Sequence, residues 1–462
     1  MDFFIDEEVL RKTFVSGDDD NRSLRHDTMQ FGLFPFTTSG NTVEDLDCTV
    51  GEFLRILLSQ TYTELDAVSI KEAIREELKV QNLHISFFDE VVNTVFFRKG
   101  GNGEKDTLRP LNLQMFSYIS RRNIAEQHIA NYLSSVLGPI DQVERVLREA
   151  IDKANRRESV LERILLQALP SLAIQSFRPN RRNRYYPVFA NAQIVFLQDL
   201  KFVLETTNRT ISHLVELLEF YYFFYTSQTC LLLRQKLNGR RDEIVPLYFS
   251  LDWEKTNQGR KCYTDGWRLL EPAVKDVFFH AVLLGMINQR ESEDRYDYVA
   301  IQDMIDSDPE MDRAIAEQIR KCTEQYCKVG EQQTPGTGLS TAEEIDFLYA
   351  TMQKIVDEHD LYSAVQRYSS RFSKFCEKHF LKARGKSGRM LSLTEQKLIF
   401  ITKLCIGSNE KMRLTEVFKR FEDRGVYLDD SSKALVMQYY ERLNLIEKKS
   451  DSGDAQYVKR IS

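Results

Sequence analysis

The sequence predicts a mainly α fold: a multi-helix body with a C-terminal winged-helix domain. Three observations lead there. Apolar residues recur at three- and four-residue spacing over long stretches, as in Leu111–Leu169 and Val188–Leu237, which is the period of amphipathic helices. Glycine and proline punctuate these stretches, at Gly138-Pro139, Pro170–Pro187 and Gly330–Gly338, as expected between helices. Finally, Ser392–Ser462 holds three short amphipathic segments and closes on Leu445-Ile446-Glu447 and Gln456-Tyr457-Val458 around a polar Gly453 turn. That ending reads as a β-wing.

A chain of 462 residues is long enough for two to four domains with substantial cores. With 42% hydrophobic and 29% charged residues, it belongs to the soluble globular class and not to the disordered one. The net charge of −6 argues against a protein that coats nucleic acid along its whole surface. From Arg384 onward, however, 16 Lys and Arg face 11 Asp and Glu, a net of +5 that leaves −11 for the rest. Basic character is concentrated in the C-terminal region. The seven cysteines are scattered without a metal-binding spacing, as in a reduced cytoplasmic protein. The acidic start, Met1-Asp2-Phe3-Phe4-Ile5-Asp6-Glu7-Glu8, is unlike an export signal. Ile211–Leu233 is apolar enough to raise a membrane question, but it carries His213, Glu216 and Glu219. Charges there are costly in hydrocarbon, so a buried core helix and no membrane association are expected.

The expected organisation is a mainly helical N-terminal region (1–170), a central helical region (171–330), a connecting helix (340–384) and the winged helix (389–462). Phe31–Asn41, interrupted by Pro35 and two glycines, reads as an extended segment on a core. The first helix begins near Val50 with Phe53, Ile56 and Leu57 on one face, and another spans Ser69–Val80. Val91–Arg98 reads as a strand or a helix continuation, and Gly100–Gly103 as a loop. Helices resume near Pro272–Asn288, Met311–Lys328 and from Thr341 to Lys382, whereas Arg384–Gly388 reads as a linker.

Within the C-terminal region, Ser392 and Glu395 match a capping box, and Leu398, Ile401 and Leu404-Cys405 follow on one face. Leu414, Val417, Phe418 and Phe421 form a second stripe ending before Gly425. Asp429 and Asp430 are acceptors placed to cap a third helix, with Leu435, Tyr439 and Leu443 inward. Ser431, Ser432, Lys433, Met437, Gln438 and Arg442 are left outward. In a DNA reader, Lys433 and Gln438 would face base edges, and Lys448, Lys449, Lys459 and Arg460 on the wing would reach phosphates. This helix is less basic than a dedicated reader's, and Asp429-Asp430 repel phosphate, so DNA contact and protein docking stand equally open. The run Phe177–Tyr186 contains Arg178, Arg181, Arg182 and Arg184 with three aromatics. It suits a nucleic-acid loop or an Arg/Tyr protein interface.

Other motifs fail. Gly385-Lys386-Ser387 lacks the first glycine of a phosphate-binding loop, and Gly101-Asn102-Gly103 lacks a third glycine for a dinucleotide site. Arg122-Asn123 with His128 imitates the Arg-Asn…His signature of helical HEPN ribonucleases but has one residue too many after Asn123. Asp252 and Glu254 beside Lys255 lack an identifiable partner carboxylate for a metal-dependent nuclease and read as a surface loop. No catalytic residue, metal or cofactor is therefore expected.

The segments Phe34-Pro35-Phe36-Thr37-Thr38, Val50-Gly51-Glu52-Phe53 and Ser450–Val458 resemble DptG, a component of bacterial DNA phosphorothioation-dependent restriction systems. The resemblance implies a cytoplasmic phage-defence complex with two larger ATPase subunits, in which sulfur-modified self DNA is spared and unmodified DNA attacked. It implies no active-site residues. Lacking a nucleotide-binding loop, the chain would be a non-catalytic adaptor coupling the ATPases to double-stranded DNA. The alternatives are a stand-alone winged-helix DNA-binding regulator and a cryptic metal-dependent nuclease.

Overall fold

A computed structural model describes residues 3–17, 22–78, 85–98, 107–156, 159–174, 185–189, 191–206, 210–289, 294–359, 361–448 and 456–461. The chain is mainly helical, with short strands in small sheets. It divides into two compact units that interleave along the sequence, where the sequence reading expected consecutive segments. One comprises residues 1–44, 180–192 and 223–462, and the other residues 45–179 and 193–222. The Gly330–Gly338 run joins two helices of the first unit, Glu310–Val329 and Thr341–Glu358. Arg320 holds it by donating to the Gly336 and Pro335 carbonyls.

In the second unit, the helix Asp47–Leu57 is buried on every face, from Thr49 to Leu57, and not only along the stripe its apolar spacing suggests. Its buried charges are paired. Arg55 pairs with Glu52 at 2.5 Å and donates to the Ser117 and Ile119 carbonyls, as burial of charge requires. Gly51 lies under a neighbouring backbone, where a Cβ would sit 2.7 Å from the carbonyl oxygens of both Phe116 and Ile119. A separate cluster gathers Ile70, Ile74, Val92, Phe96, Met115 and Leu165. The helix Ile85–Phe96 gives way to a two-residue strand, Phe97–Arg98, paired antiparallel with Thr107–Leu108. The Gly100–Gly103 loop lies outside the described residues.

The first unit is organised around the helix Trp267–Ile287, in which every residue from Val277 to Ile287 is buried. Such a helix must be surrounded, and it packs against Glu310–Val329, Thr341–Glu358 and Tyr362–His379. The last two replace the single helix expected over Thr341–Lys382, because each lays its own stripe on the central helix. Phe31, Leu33, Phe34 and Phe36 are buried in the predicted extended segment. Phe34 and Phe36 stack 5.1 Å apart, and Phe36 meets Tyr368 and Phe372. The apolar stretch around residues 211–233 lies in the helix Thr210–Gln235, and Phe223–Leu233 is buried without a break. No helix among the described residues is long and apolar enough to cross a membrane.

Residues 384–388 are not a linker. Leu381–Ala383 and Arg389–Leu393 form an antiparallel hairpin across them. Gly385 and Gly388 adopt φ of +56° and +71°, the left-handed region that makes so tight a turn accessible to glycine. Ser392-Leu393 then pairs in parallel with Ser250-Leu251.

The close approach at Gly51 predicts that Gly51→Ala, although favourable to helix propensity, lowers stability by about 1–3 kcal/mol through overpacking. Denaturant unfolding of the variant against wild type checks this; equal or greater stability would contradict the close-approach role.

Candidate interface of the C-terminal module

The C-terminal module is built from three helices, Glu395–Ile406, Leu414–Glu422 and Asp430–Arg442, and three strands, Lys411–Arg413, Ile446–Lys448 and Gln456–Lys459. The last strand lies in the middle of the sheet, antiparallel to both neighbours.

Local chemistry explains the helix ends. Thr394, and not Ser392, caps the first helix by accepting from the Lys397 N–H. Ser392 is drawn into the preceding strand, where its hydroxyl donates to Asp252 Oδ1 at 2.8 Å. Gly407 and Gly425, at φ of +58° and +72°, follow the first two helices. Asp429 caps the third through the Ser432 N–H.

The third helix is rotated from the sequence expectation. Ser432, Val436, Tyr439 and Tyr440 are buried, Leu435 is half-buried and Leu443 is exposed. Ser432 faces inward because its hydroxyl belongs to a polar cluster shared with the body. There Glu254 Oε2 accepts from the Ser432 hydroxyl and from the Leu251 N–H, both at 2.9 Å. Arg260 grips Asp429 with two parallel hydrogen bonds, from Nε at 2.8 Å and from Nη2. The same Nη2 reaches Glu254 Oε1 at 2.5 Å. Trp253 packs on Tyr439 with ring centroids 5.1 Å apart. Beside the cluster, Leu247-Tyr248 pairs in parallel with Val426-Tyr427.

Burial alone would raise the Asp429 pKa. The Arg260 hydrogen bonds, with the Ser432 N–H, outweigh it and hold the carboxyl below its ordinary value. Hydrogen bonding to Asp429 correspondingly raises the Arg260 pKa.

The expectation of a surface loop at Asp252–Lys255 is corrected at Glu254: its side chain is 1% exposed and both of its oxygens accept hydrogen bonds within the fold, whereas Asp252 is half-buried and Lys255 exposed. Asp252 accepts from Ser392. Arg384 donates to the carbonyls of Leu251, Asp252 and Glu254. This arrangement holds a loop in place. Arg122 likewise serves its own helix: Glu126 accepts from its backbone N–H and from Nε, and Asn123 is the N-cap.

Of the residues expected to contact nucleic acid, Arg178, Arg181, Arg182, Arg184 and Lys449 lie outside the described residues. Lys433 is half-buried and reaches Glu422 at 3.2 Å and the face of Phe418. Gln438 is exposed on the third helix. Lys448 ends the strand Ile446–Lys448, and Lys459 and Arg460 are exposed at the end of Gln456–Lys459. The fold adds two cations that the sequence reading missed, Lys411 and Arg413, set beside Lys459 and Tyr457 by the strand register. The alternating Lys411-Met412-Arg413 pattern was the available signal, but three residues are too few to distinguish a strand from a helix start.

The chain matches no protein-family model and no curated protein.

Two outcomes are expected of the Arg260 cluster. Arg260→Ala strands two carboxylates, one of them almost fully buried, and should cost about 3–5 kcal/mol in denaturant unfolding; a loss under about 1 kcal/mol, as for a surface pair, would refute the clamp. Asp429, with its folded pKa depressed, stabilises fully above the ordinary carboxylate range, and this contribution is lost as pH falls through the folded pKa. The stability gap between wild type and Asp429→Asn should accordingly be constant near neutrality and shrink below about pH 4; a gap that persists unchanged into acid would count against this linkage.

Proposed function

We propose that the chain is a non-catalytic scaffold of a cytoplasmic phosphorothioation-dependent restriction complex, coupling larger ATPase subunits to double-stranded DNA. In this reading, residues 389–462 act as a winged-helix domain. Apart from Arg389–Leu393 and Val426-Tyr427, which pair with other strands, the order helix, strand, helix, helix, strand, strand, with the last strand central in the sheet, supports that description. The observation that carries the scaffold reading is the clamp on the third helix. A reading helix inserts its N-terminal half into the major groove, yet here Asp429 and Ser432 at that end are held by Arg260 and Glu254. A stand-alone regulator would need that end free, so the clamp favours a module fixed to its body.

A second feature supports docking of protein partners. Of 14 large apolar side chains exposed among the described residues, 10 belong to the unit of residues 45–179 and 193–222. Val160 and Leu161 open one of its helices, and Ile174 pairs with Gln60, two residues before exposed Tyr62. Adjacent exposed apolar side chains such as Val160 and Leu161 are the kind of surface that a protein partner covers.

Removing residues 392–462 is a poor test, because Ser392-Leu393 and Val426-Tyr427 pair with strands of the body. Point variants are cleaner. Val160→Asp with Leu161→Asp should leave the melting temperature near wild type while abolishing co-purification with the ATPase subunits from the native host. A wild-type chain recovered as a monomer with no partner would overturn the scaffold reading.

A further inference from the structure

We propose that the outer face of the terminal three-stranded sheet binds the phosphodiester backbone of double-stranded DNA, independently of base sequence. The inference rests on the DNA-coupling part of the function proposed above and identifies the surface that performs it. Strand register makes the case. Tyr457 lies opposite Arg413, Val458 opposite Met412, and Lys459 opposite Lys411. Met412 and Val458 are buried, so the period of two places Lys411, Arg413, Tyr457 and Lys459 together on the outer face. The three cations are exposed. Residues opposite each other across an antiparallel pair stand about 5 Å apart, and alternate residues along one strand about 7 Å. The sheet thus gathers three cations on rigid backbone, one of them, Lys411, paired with Glu447, which the register places on the same face opposite Tyr457.

The surroundings sharpen the ligand. Within the three strands, Glu447 is the only acidic residue, and it pairs with Lys411 at 2.6 Å. Tyr457, beneath Lys411 and within 3.4 Å of Arg413 Nε, steadies both cations. Arg460 continues the basic edge, its backbone N–H donating to the Glu410 carbonyl. The face carries charge without an array of amide side chains for base edges, which suits phosphate neutralisation and not sequence readout. Because the clamp engages the N-terminal end of the third helix, the sheet is the part of the module left to meet a polyanion. The +5 balance of the C-terminal region against −11 elsewhere also favours approach of a polyanion from this side.

The test is fluorescence anisotropy of the full chain with a duplex of about 30 base pairs, and with a single strand of equal length, over about 50–200 mM salt. Wild type should bind the duplex more tightly than the single strand, with steep salt dependence. The triple variant Lys411→Ala, Arg413→Ala, Lys459→Ala should lose at least about tenfold in affinity and about 2–3 from the salt slope. Its melting temperature should stay near wild type, and exchanging Lys and Arg at the three positions should retain binding. Unchanged duplex binding by the alanine variant would overturn the proposed face while leaving DNA coupling intact. Preference for the single strand would overturn the duplex assignment. Absence of duplex binding by wild type that still captures the ATPase subunits would overturn this inference and the DNA arm, leaving the scaffold arm standing. Loss of those subunits in the alanine variant, with DNA binding unchanged, would assign the face to protein docking instead.

Discussion

The position of the C-terminal module depends on one guanidinium. Arg260 joins Asp429, the cap of the third helix, to Glu254 in the body. Each of these charges would be costly to bury alone, and together they are tolerable because both oxygens of each carboxylate accept hydrogen bonds. Geometry therefore matters more than Coulomb energy here. A planar fork can hold two carboxylates in fixed directions, which a lysine ammonium cannot. The Ser432 hydroxyl and Leu251 N–H complete the Glu254 oxygens, so a shift in any of these groups would leave a buried polar atom unpaired. The cluster in this way sets the rotation of the third helix and, through it, which residues the module presents outward.

This constraint explains why some local rules held and others failed. Asp429 was recognisable as a cap because capping is local: a carboxylate just before a helical run meets the free N–H groups whatever surrounds it. Ser392 followed the same rule on paper, but Asp252 and the Ser250 strand claimed it, and Thr394 took the cap. Leu443 was expected inside by four-residue spacing from Tyr439, yet it is exposed. Burial follows the residues that meet Glu254 and Trp253, and those contacts come from nearly two hundred residues away in sequence.

Two of the segments that carry the resemblance, Phe34–Thr38 and Val50–Phe53, contribute to the core. Phe34 and Phe36 stack among Tyr368 and Phe372, and Arg371 and Arg367 donate to the carbonyls of Thr37 and Thr38. Gly51 permits a backbone approach that no Cβ would allow, and Glu52 neutralises a buried arginine. Such positions specify a core. They tie an irregular segment and a fully buried helix to their neighbours.

Periodicity and turn chemistry were enough to read the helical class, the burial of Phe223–Leu233 in a helix, the packing of Phe31–Phe36 on a core and the strands ending the chain, because each depends on residues near one another in sequence. The interleaving of the two units, the hairpin across residues 384–388, the burial of Glu254 and the gathering of Lys411, Arg413, Tyr457 and Lys459 were not legible. All four arise from pairings between distant segments, whose energies come from register and long-range hydrogen bonds and leave no local period to detect.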